Sequence, residues 1–191
     1  MQQLMTGKNI VVMGVANKRS IAWGVTTSLH AAGANLIFAY RKERSLLKLT
    51  TLLEQEGIAP LMIVTCDVSD DASIAEAFNS IKEQVGVIHG IVHSVAFADK
   101  DELQGEYVET SRDGYLMAQS ISAYSLVAIA REAKPIMSEG GSIVTQSYLG
   151  AERVVPNYNV MGVAKAALEA SVRYLAEDLG KYNIRVNAIS P

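Results

Sequence analysis

The sequence has little of what disulfide-bonded, nucleic-acid-binding or membrane-spanning proteins require. Its 191 residues include one cysteine, Cys66, so no intramolecular disulfide can form, as is typical of a reducing compartment. The formal net charge is −3, which leaves no general excess of basic residues for holding nucleic acid. No apolar run is long enough to cross a bilayer, and no charged start precedes one. We therefore expect a soluble, cytoplasmic protein that binds neither nucleic acid nor membrane.

The sequence also lacks residues spaced as the ligands of a metal ion usually are. Cysteine, histidine and carboxylate residues do not recur at the short intervals that metal sites use, so no metal is expected. The three histidines, His30, His89 and His93, lie in or beside apolar segments, where a structural role is expected. With 49% hydrophobic and 19% charged residues, the chain has the composition of a folded domain with a substantial core.

What the sequence does contain is a regular alternation of short apolar runs with longer segments of helical periodicity. The short runs lack polar residues at alternate positions, as is typical of strands buried on both faces of a parallel sheet. We predict one α/β domain over residues 1–191, a Rossmann-like doubly wound parallel sheet with helices on both faces. Strands are expected at 9–13, 35–40, 61–66, 88–95, 142–146 and 184–189, and helices at 21–32, 43–56, about 70–85, roughly 111–137 and 158–181.

The segment from Gly14 to Gly24 follows the first predicted strand and enters the first predicted helix. In open α/β sheets this helix N-terminus points at the ligand crevice, where its dipole and free N–H groups favour a pyrophosphate. We expect Gly14 to permit the turn, Ser20 to cap the helix or bind a phosphate, and Gly24 to allow close helix packing. The G-x-G-x-x-G spacing is absent, so a purely structural turn is the alternative.

The end of the second predicted strand indicates which dinucleotide is bound. Domains that prefer NAD place an acidic residue there for the ribose 2′-hydroxyl, whereas this chain has Tyr40-Arg41-Lys42 and no acid before Glu43. Two cations favour a 2′-phosphate, although a solvated helix start is the alternative. We therefore predict NADPH, with NADH as a possible but weaker cofactor.

The catalytic candidates follow the fifth predicted strand. Tyr148 comes directly after that strand, and Tyr158 and Lys165 lie seven residues apart, which places both on one helix face. A nearby ammonium is expected to favour the ionised form of the phenol, which otherwise titrates near pH 10. A phenol there can also donate a hydrogen bond to an oxygen that gains negative charge, while Lys165 can bind the ribose hydroxyls.

Four segments together resemble the enoyl-[acyl-carrier-protein] reductases of bacterial type II fatty-acid synthesis, within the short-chain dehydrogenase/reductase superfamily. They are Gly14 to Gly24, His93-Ser-Val-Ala-Phe-Ala98, Tyr148-Leu-Gly, and Tyr158-Asn-Val-Met-Gly-Val-Ala-Lys165. Ordinary members of the superfamily place lysine four residues after the tyrosine, where this chain has Gly162. The longer spacing, with a second tyrosine where serine is usual, is typical of the enoyl reductases.

The resemblance implies reduction of trans-2-enoyl thioesters on the acyl carrier protein. Tyr158 would stabilise the enolate, Tyr148 would lie beside the acyl chain, and Ala98 would contact the substrate through its backbone. Asp67 and Val68 would flank the adenine and Val95 the nicotinamide, and the segment from Tyr40 to Ser45 resembles the NADPH-using branch. The family is typically a homotetramer built on its long central helices. The implied cofactor contacts are Gly14, Ser20, Ile21, Arg41, Lys42, Glu43, Arg44, Ser45, Asp67, Val68, Val95 and Lys165.

The sequence departs from the family pattern in two places. The family continues past the position of Pro191 through a substrate-covering loop, another helix and a final strand, so we expect an incomplete chain that lacks the lid and last strand. Ala151 also stands where the family has glycine. Two alternatives stay open: a carbonyl reductase of the same superfamily, against which Gly162 argues, and a non-catalytic NADP-binding module or truncated form.

Overall fold

The computed structural model describes residues 3–191. Their six strands form one parallel sheet in the order β3-β2-β1-β4-β5-β6. The predicted Rossmann-like α/β class is confirmed. The strands are β1 (Asn9–Met13), β2 (Asn35–Tyr40), β3 (Met62–Thr65), β4 (Gly90–His93), β5 (Gly141–Gln146) and β6 (Ile184–Ile189). The helices are α1 (Ile21–Ala31), α2 (Glu43–Gln55), α3 (Asp71–Gln84), α4 (Arg112–Gln119), α5 (Ser125–Ala133) and α6 (Asn159–Gly180).

The largest departure from the sequence prediction lies in the helix expected at 111–137. It is divided into α4 and α5 by a π-helical turn over Ser120–Tyr124, and it closes in a 3₁₀ turn over Lys134–Ile136. Pro135 explains the closing turn, because proline has no N–H to continue the α-helical hydrogen bonds. The strand expected at 88–95 is also shorter, since pairing with both neighbours runs only from Gly90 to His93.

The two faces of the sheet carry separate cores. Along β1, Val11 and Met13 pack into the larger core with α3, α5 and α6, while Ile10 and Val12 pack into the smaller one with α1 and α2. Successive strand side chains point to opposite faces, so a central strand covered on both sides must be apolar throughout. This explains why the sequence of β1 shows no polar alternation.

On the face that carries α1, the helices cover only part of the sheet. An apolar groove of about 540 Å³ lies between α1 and the strands β4, β5 and β6. Ile21, Val25 and Leu29 of α1 line one wall, and Val92 and Val144 line the floor.

Candidate active site

The carboxyl ends of β1 to β4 converge on a small cavity of about 180 Å³. Because the strands are parallel, the loops that leave them all open at this edge of the sheet. The cavity is the right place for one part of a dinucleotide, and four chain segments far apart in sequence build it. Its lining includes five of the predicted cofactor residues, Gly14, Arg41, Ser45, Val68 and Val95, together with Tyr40 and Cys66.

Gly14 is required at the turn that follows β1. Its φ is +87°, and a Cβ built there would lie 1.8 Å from the carbonyl oxygen of Ser94. Any other residue would therefore force apart the loops that follow β1 and β4. This close approach holds one wall of the cavity in place.

The N-terminus of α1 has no side-chain cap. Ser20 occupies the capping position, but its hydroxyl donates to the carbonyl of Asn17 at 2.7 Å, so the predicted capping bond is wrong for this structure. The N–H groups of Ile21 and Ala22 in the first turn of α1 therefore receive no side-chain cap from Ser20, and a diphosphate is the kind of anion that such groups favour. Ile21 begins α1 with its side chain in the apolar groove. The packing role predicted for Gly24 is wrong, because nothing lies within 4 Å of a Cβ built there.

Of the two cations predicted to bind a 2′-phosphate, Arg41 is held in an ion pair. The Nε of Arg41 donates to Oδ2 of Asp67 at 2.7 Å, which joins the ends of β2 and β3. Burial alone would raise the pKa of Asp67, but hydrogen bonds from Ser69 and from the Arg41 guanidinium lower it. Lys42 caps α2 without a side-chain bond. Lys42, Glu43 and Arg44 are exposed and lie outside the lining of the cavity.

The three predicted catalytic residues come together where β5 ends and α6 begins. Tyr158 lies one residue before α6, and its ring meets that of Tyr148 edge-on, with centroids 4.8 Å apart and planes at 66°. Lys165 is 6% exposed, and its Nζ donates to the carbonyl oxygen of Gln146 at 2.6 Å. Gln146 ends β5 two residues before Tyr148. One short segment therefore contacts both Tyr158 and Lys165.

The electrostatics of this cluster differ from the sequence-based expectation. Burial, with a smaller effect of Tyr148, raises the pKa of Tyr158. Burial also lowers the pKa of Lys165. The prediction that Lys165 would favour the ionised phenol is therefore wrong for this structure. At neutral pH Tyr158 keeps its proton and is a hydrogen-bond donor, which is what an oxygen gaining negative charge requires.

Two glycines allow the chain after β5 to press against the start of α6. A Cβ at Gly150 would lie 2.4 Å from Cδ1 of Tyr158, and one at Gly162 would lie 2.8 Å from the carbonyl oxygen of Gly150. Gly162 stands where ordinary superfamily members have their lysine, and here that position has no room for a side chain. Asn157 and Asn159, on either side of Tyr158, have φ of 61° and 32°, so the tyrosine is held by backbone in the left-handed region, which asparagine tolerates.

Several buried polar contacts near the site were not predicted, although a structural role was expected for His93. His93 ends β4, and its ring nitrogens lie 2.9 Å from the hydroxyl oxygens of Thr145 and Ser125. Burial, with a smaller effect of the Lys165 charge, lowers the pKa of His93 to about 4, so the ring is neutral. Ser147 donates to the carboxylate of Glu169. Serine and threonine inside apolar runs were the available signal for this network, but only the fold shows which of them meet.

Residues 3–191 lack two further classes of feature, a membrane-spanning helix and a metal-ion site. Within this range no helix is long and apolar enough to cross a membrane. Over the same residues, no group of three or more histidine, cysteine or carboxylate side chains is placed to hold a metal ion.

Comparison with known proteins places these features in one family. The family model described as Enoyl-(Acyl carrier protein) reductase matches residues 14–191. The chain belongs to this enoyl reductase family. It is 62% identical to enoyl-[acyl-carrier-protein] reductase [NADH] FabI of Bacillus subtilis (strain 168) over 189 residues, which is 97% of this chain and 72% of that protein. It is 55% identical to the [NADPH] FabI of Staphylococcus aureus (strain NCTC 8325 / PS 47) over 186 residues, or 97% of this chain and 73% of that protein.

Solved structures of enoyl reductases agree with this fold. The crystal structure of the Bacillus cereus enoyl-acyl carrier protein reductase with NADP+ and indole naphthyridinone superposes with a TM-score of 0.96 at 58% identity. The superposition covers 100% of this chain and 74% of that chain. At this level of sequence identity, the similar fold is what membership of the same family predicts.

Proposed function

We propose that this protein reduces trans-2-enoyl thioesters carried on the acyl carrier protein to saturated acyl thioesters. The observation that carries the proposal is the contact of Tyr148 with Tyr158 beside Lys165, at the sheet edge where the cofactor cavity opens. The seven-residue separation of Tyr158 and Lys165 and the crowded Gly162 favour this reaction over carbonyl reduction.

The residues of the site suit conjugate reduction. The bound dinucleotide supplies the hydride that adds to the β-carbon of the enoyl thioester. As the β-carbon gains the hydride, the electron pair of the double bond shifts toward the thioester oxygen, and Tyr158 donates a hydrogen bond to that oxygen. The enolate then returns its electron pair to the α-carbon, which takes a proton from solvent water, and the thioester carbonyl re-forms. Tyr148 packs against the ring of Tyr158 and fixes its orientation, while Lys165 presents an ammonium for the ribose hydroxyls.

Turnover with competing substrates tests this proposal. We expect crotonyl thioesters to oxidise the reduced cofactor, measured as the loss of its absorbance. Simple ketones should cause no oxidation. Turnover of ketones alone would indicate a carbonyl reductase. Measurable cofactor affinity without turnover of any enoyl thioester would indicate a non-catalytic binding module.

We further propose that NADPH is preferred over NADH, which remains a weaker alternative. Arg41 lines the cavity with its guanidinium oriented by Asp67, and Lys42 lies next to it at the start of α2. Neither residue alone identifies the cofactor, and the relatives include enzymes named for NADH and for NADPH.

Replacing Arg41 and Lys42 by alanine tests the preference. Loss of charge-assisted hydrogen bonds to a 2′-phosphate is expected to raise the KM for NADPH at least about tenfold while changing that for NADH much less. Lys48→Ala removes an exposed cation from the same helix and serves as the control. Equal losses for the two cofactors would contradict the assignment.

We also propose a cytoplasmic homotetramer that uses the outer face of α4. The side chains of Tyr115, Leu116 and Met117 are exposed there, and Tyr107 and Val108 extend the same apolar surface. Exposed apolar patches of this kind are typical of protein interfaces. Light scattering should give the mass of four chains, and Leu116→Arg should lower it. A monomeric parent protein would contradict the proposal.

A further inference from the structure

The π-helical turn over Ser120–Tyr124 holds a buried serine against the loop that follows β4. The side chain of Ser122 is 0% exposed. Its hydroxyl accepts the backbone N–H of Phe97 and donates to the carbonyl oxygen of the same residue, both at 3.0 Å. One side chain thus satisfies both backbone polar groups of Phe97. Such turns are rare in long helices and are frequent at functional sites.

The loop held by Ser122 connects the two halves of the proposed active site. At its start, Val95 lines the cofactor cavity, and Ser94 lies against Gly14. At its end, Ala98 packs against the same small apolar cluster as Tyr158, a cluster that includes Val160 and Met161. The first end is therefore held by the turn after β1. Among the described residues, the side-chain hydrogen bonds made to the backbone of this loop at Phe97 come from Ser122.

We propose that Ser122 is a positioning residue, which fixes Phe97 and Ala98 so that the loop backbone and Tyr158 face a thioester together. This inference rests on the proposed enoyl reductase function and concerns the same site. Ser122 acts through the loop and does not itself contact substrate. Its removal should affect the substrate end of the loop more than the cofactor end, which the Gly14 contact holds independently.

Ser122→Ala tests the proposal with two measurements. Two hydrogen bonds to the loop are lost, so kcat/KM for a crotonyl thioester should fall roughly tenfold or more, whereas the dissociation constant of the reduced cofactor should change less than about threefold. Hydrogen exchange of the Phe97 amide should become faster. Equal losses for substrate and cofactor, or unchanged exchange at Phe97, would overturn the proposal.

Two further variants separate the hydroxyl from packing. Ser122→Cys keeps nearly the same volume with a weak hydrogen-bonding group, so it should behave like the alanine variant, and parental kinetics in it would overturn the proposal. Ser171→Ala removes a serine of α6 that bonds only within its own helix, and it should leave kinetics and Phe97 exchange unchanged. If the parent protein reduces no enoyl thioester, the proposed function fails, and exchange at Phe97 still decides whether Ser122 holds the loop.

Discussion

The protonation state of Tyr158 depends on the burial of its ring rather than on the charge of Lys165. The ring is half-buried at the start of α6 and lies against Tyr148, and this burial raises its pKa. Lys165 points instead to the carbonyl of Gln146. A neutral phenol loses little by burial and donates its proton in a hydrogen bond, so in the proposed reaction Tyr158 stabilises an oxyanion without prior ionisation.

Tyr158→Phe removes this donor and keeps the ring. We expect kcat to fall roughly 10²–10³-fold, because an oxyanion donor is lost, with little change in cofactor affinity. Tyr174→Phe makes the same change at a 77% exposed position on the same helix and should have no effect. Wild-type turnover in the Tyr158 variant would rule out the assigned role.

At the scale of elements, the contact of the chain after β5 with the start of α6 orients the proposed catalytic groups. Because Gly150 and Gly162 have no side chains, the backbone after β5 can lie close to the start of α6. This contact places Tyr148 against Tyr158. In an exposed helix position glycine costs about 1 kcal/mol relative to alanine. At Gly162 the absence of a side chain is required by the neighbouring carbonyl oxygen.

Alanine at two helical glycines should therefore have opposite effects on the free energy of unfolding. Gly162→Ala forces Cβ against the Gly150 carbonyl and should destabilise the protein by about 1–3 kcal/mol. Gly24→Ala adds a Cβ in open space within α1 and should stabilise it by up to about 1 kcal/mol. Urea titration measures both, and stabilisation by the first substitution would contradict the crowding at α6.

At the scale of the whole molecule, the parallel sheet joins segments that are far apart in sequence into one polar network. His93 of β4 lies between Thr145 of β5 and Ser125 of α5, and the charge of Lys165 in α6 contributes to its low pKa. A neutral imidazole carries one N–H, so one hydroxyl donates to the ring and the other accepts from it. These hydrogen bonds therefore link β4, β5 and α5, and the charge of Lys165 acts on the ring from α6.

This network predicts how stability depends on pH. Between pH 6.5 and about 4 the unfolded protein binds a proton at His93 that the folded protein excludes. The free energy of unfolding should therefore fall with decreasing pH, at a slope contribution of about 1.4 kcal/mol per pH unit. His93→Gln should remove that contribution in urea titrations, whereas His30→Gln, at an exposed position, should not. An unchanged slope in the His93 variant would contradict a buried neutral ring.

The fold class could be predicted from the sequence alone, and so could five of the residues that line the proposed cofactor cavity. Apolar runs without alternation identify β1 and its neighbours, because a strand covered on both faces has no solvent side. The segments from Gly14 to Gly24 and from Tyr158 to Lys165 carry the family resemblance by local spacing. Such signals survive in sequence because the residues that form them are close along the chain.

The geometry and protonation of the candidate site follow from tertiary contacts that the sequence does not display. Burial among residues of other segments keeps Tyr158 neutral. The hydrogen bonds of Arg41 with Asp67 and of Ser122 with Phe97 likewise join different parts of the chain. The π-helical turn that carries Ser122 has no periodic signature in an apolar helix, and the open space at Gly24 contradicts its expected packing role. Burial and hydrogen bonding depend on neighbours in space, and the partners of Arg41 and Ser122 lie 26 and 25 residues away in the sequence.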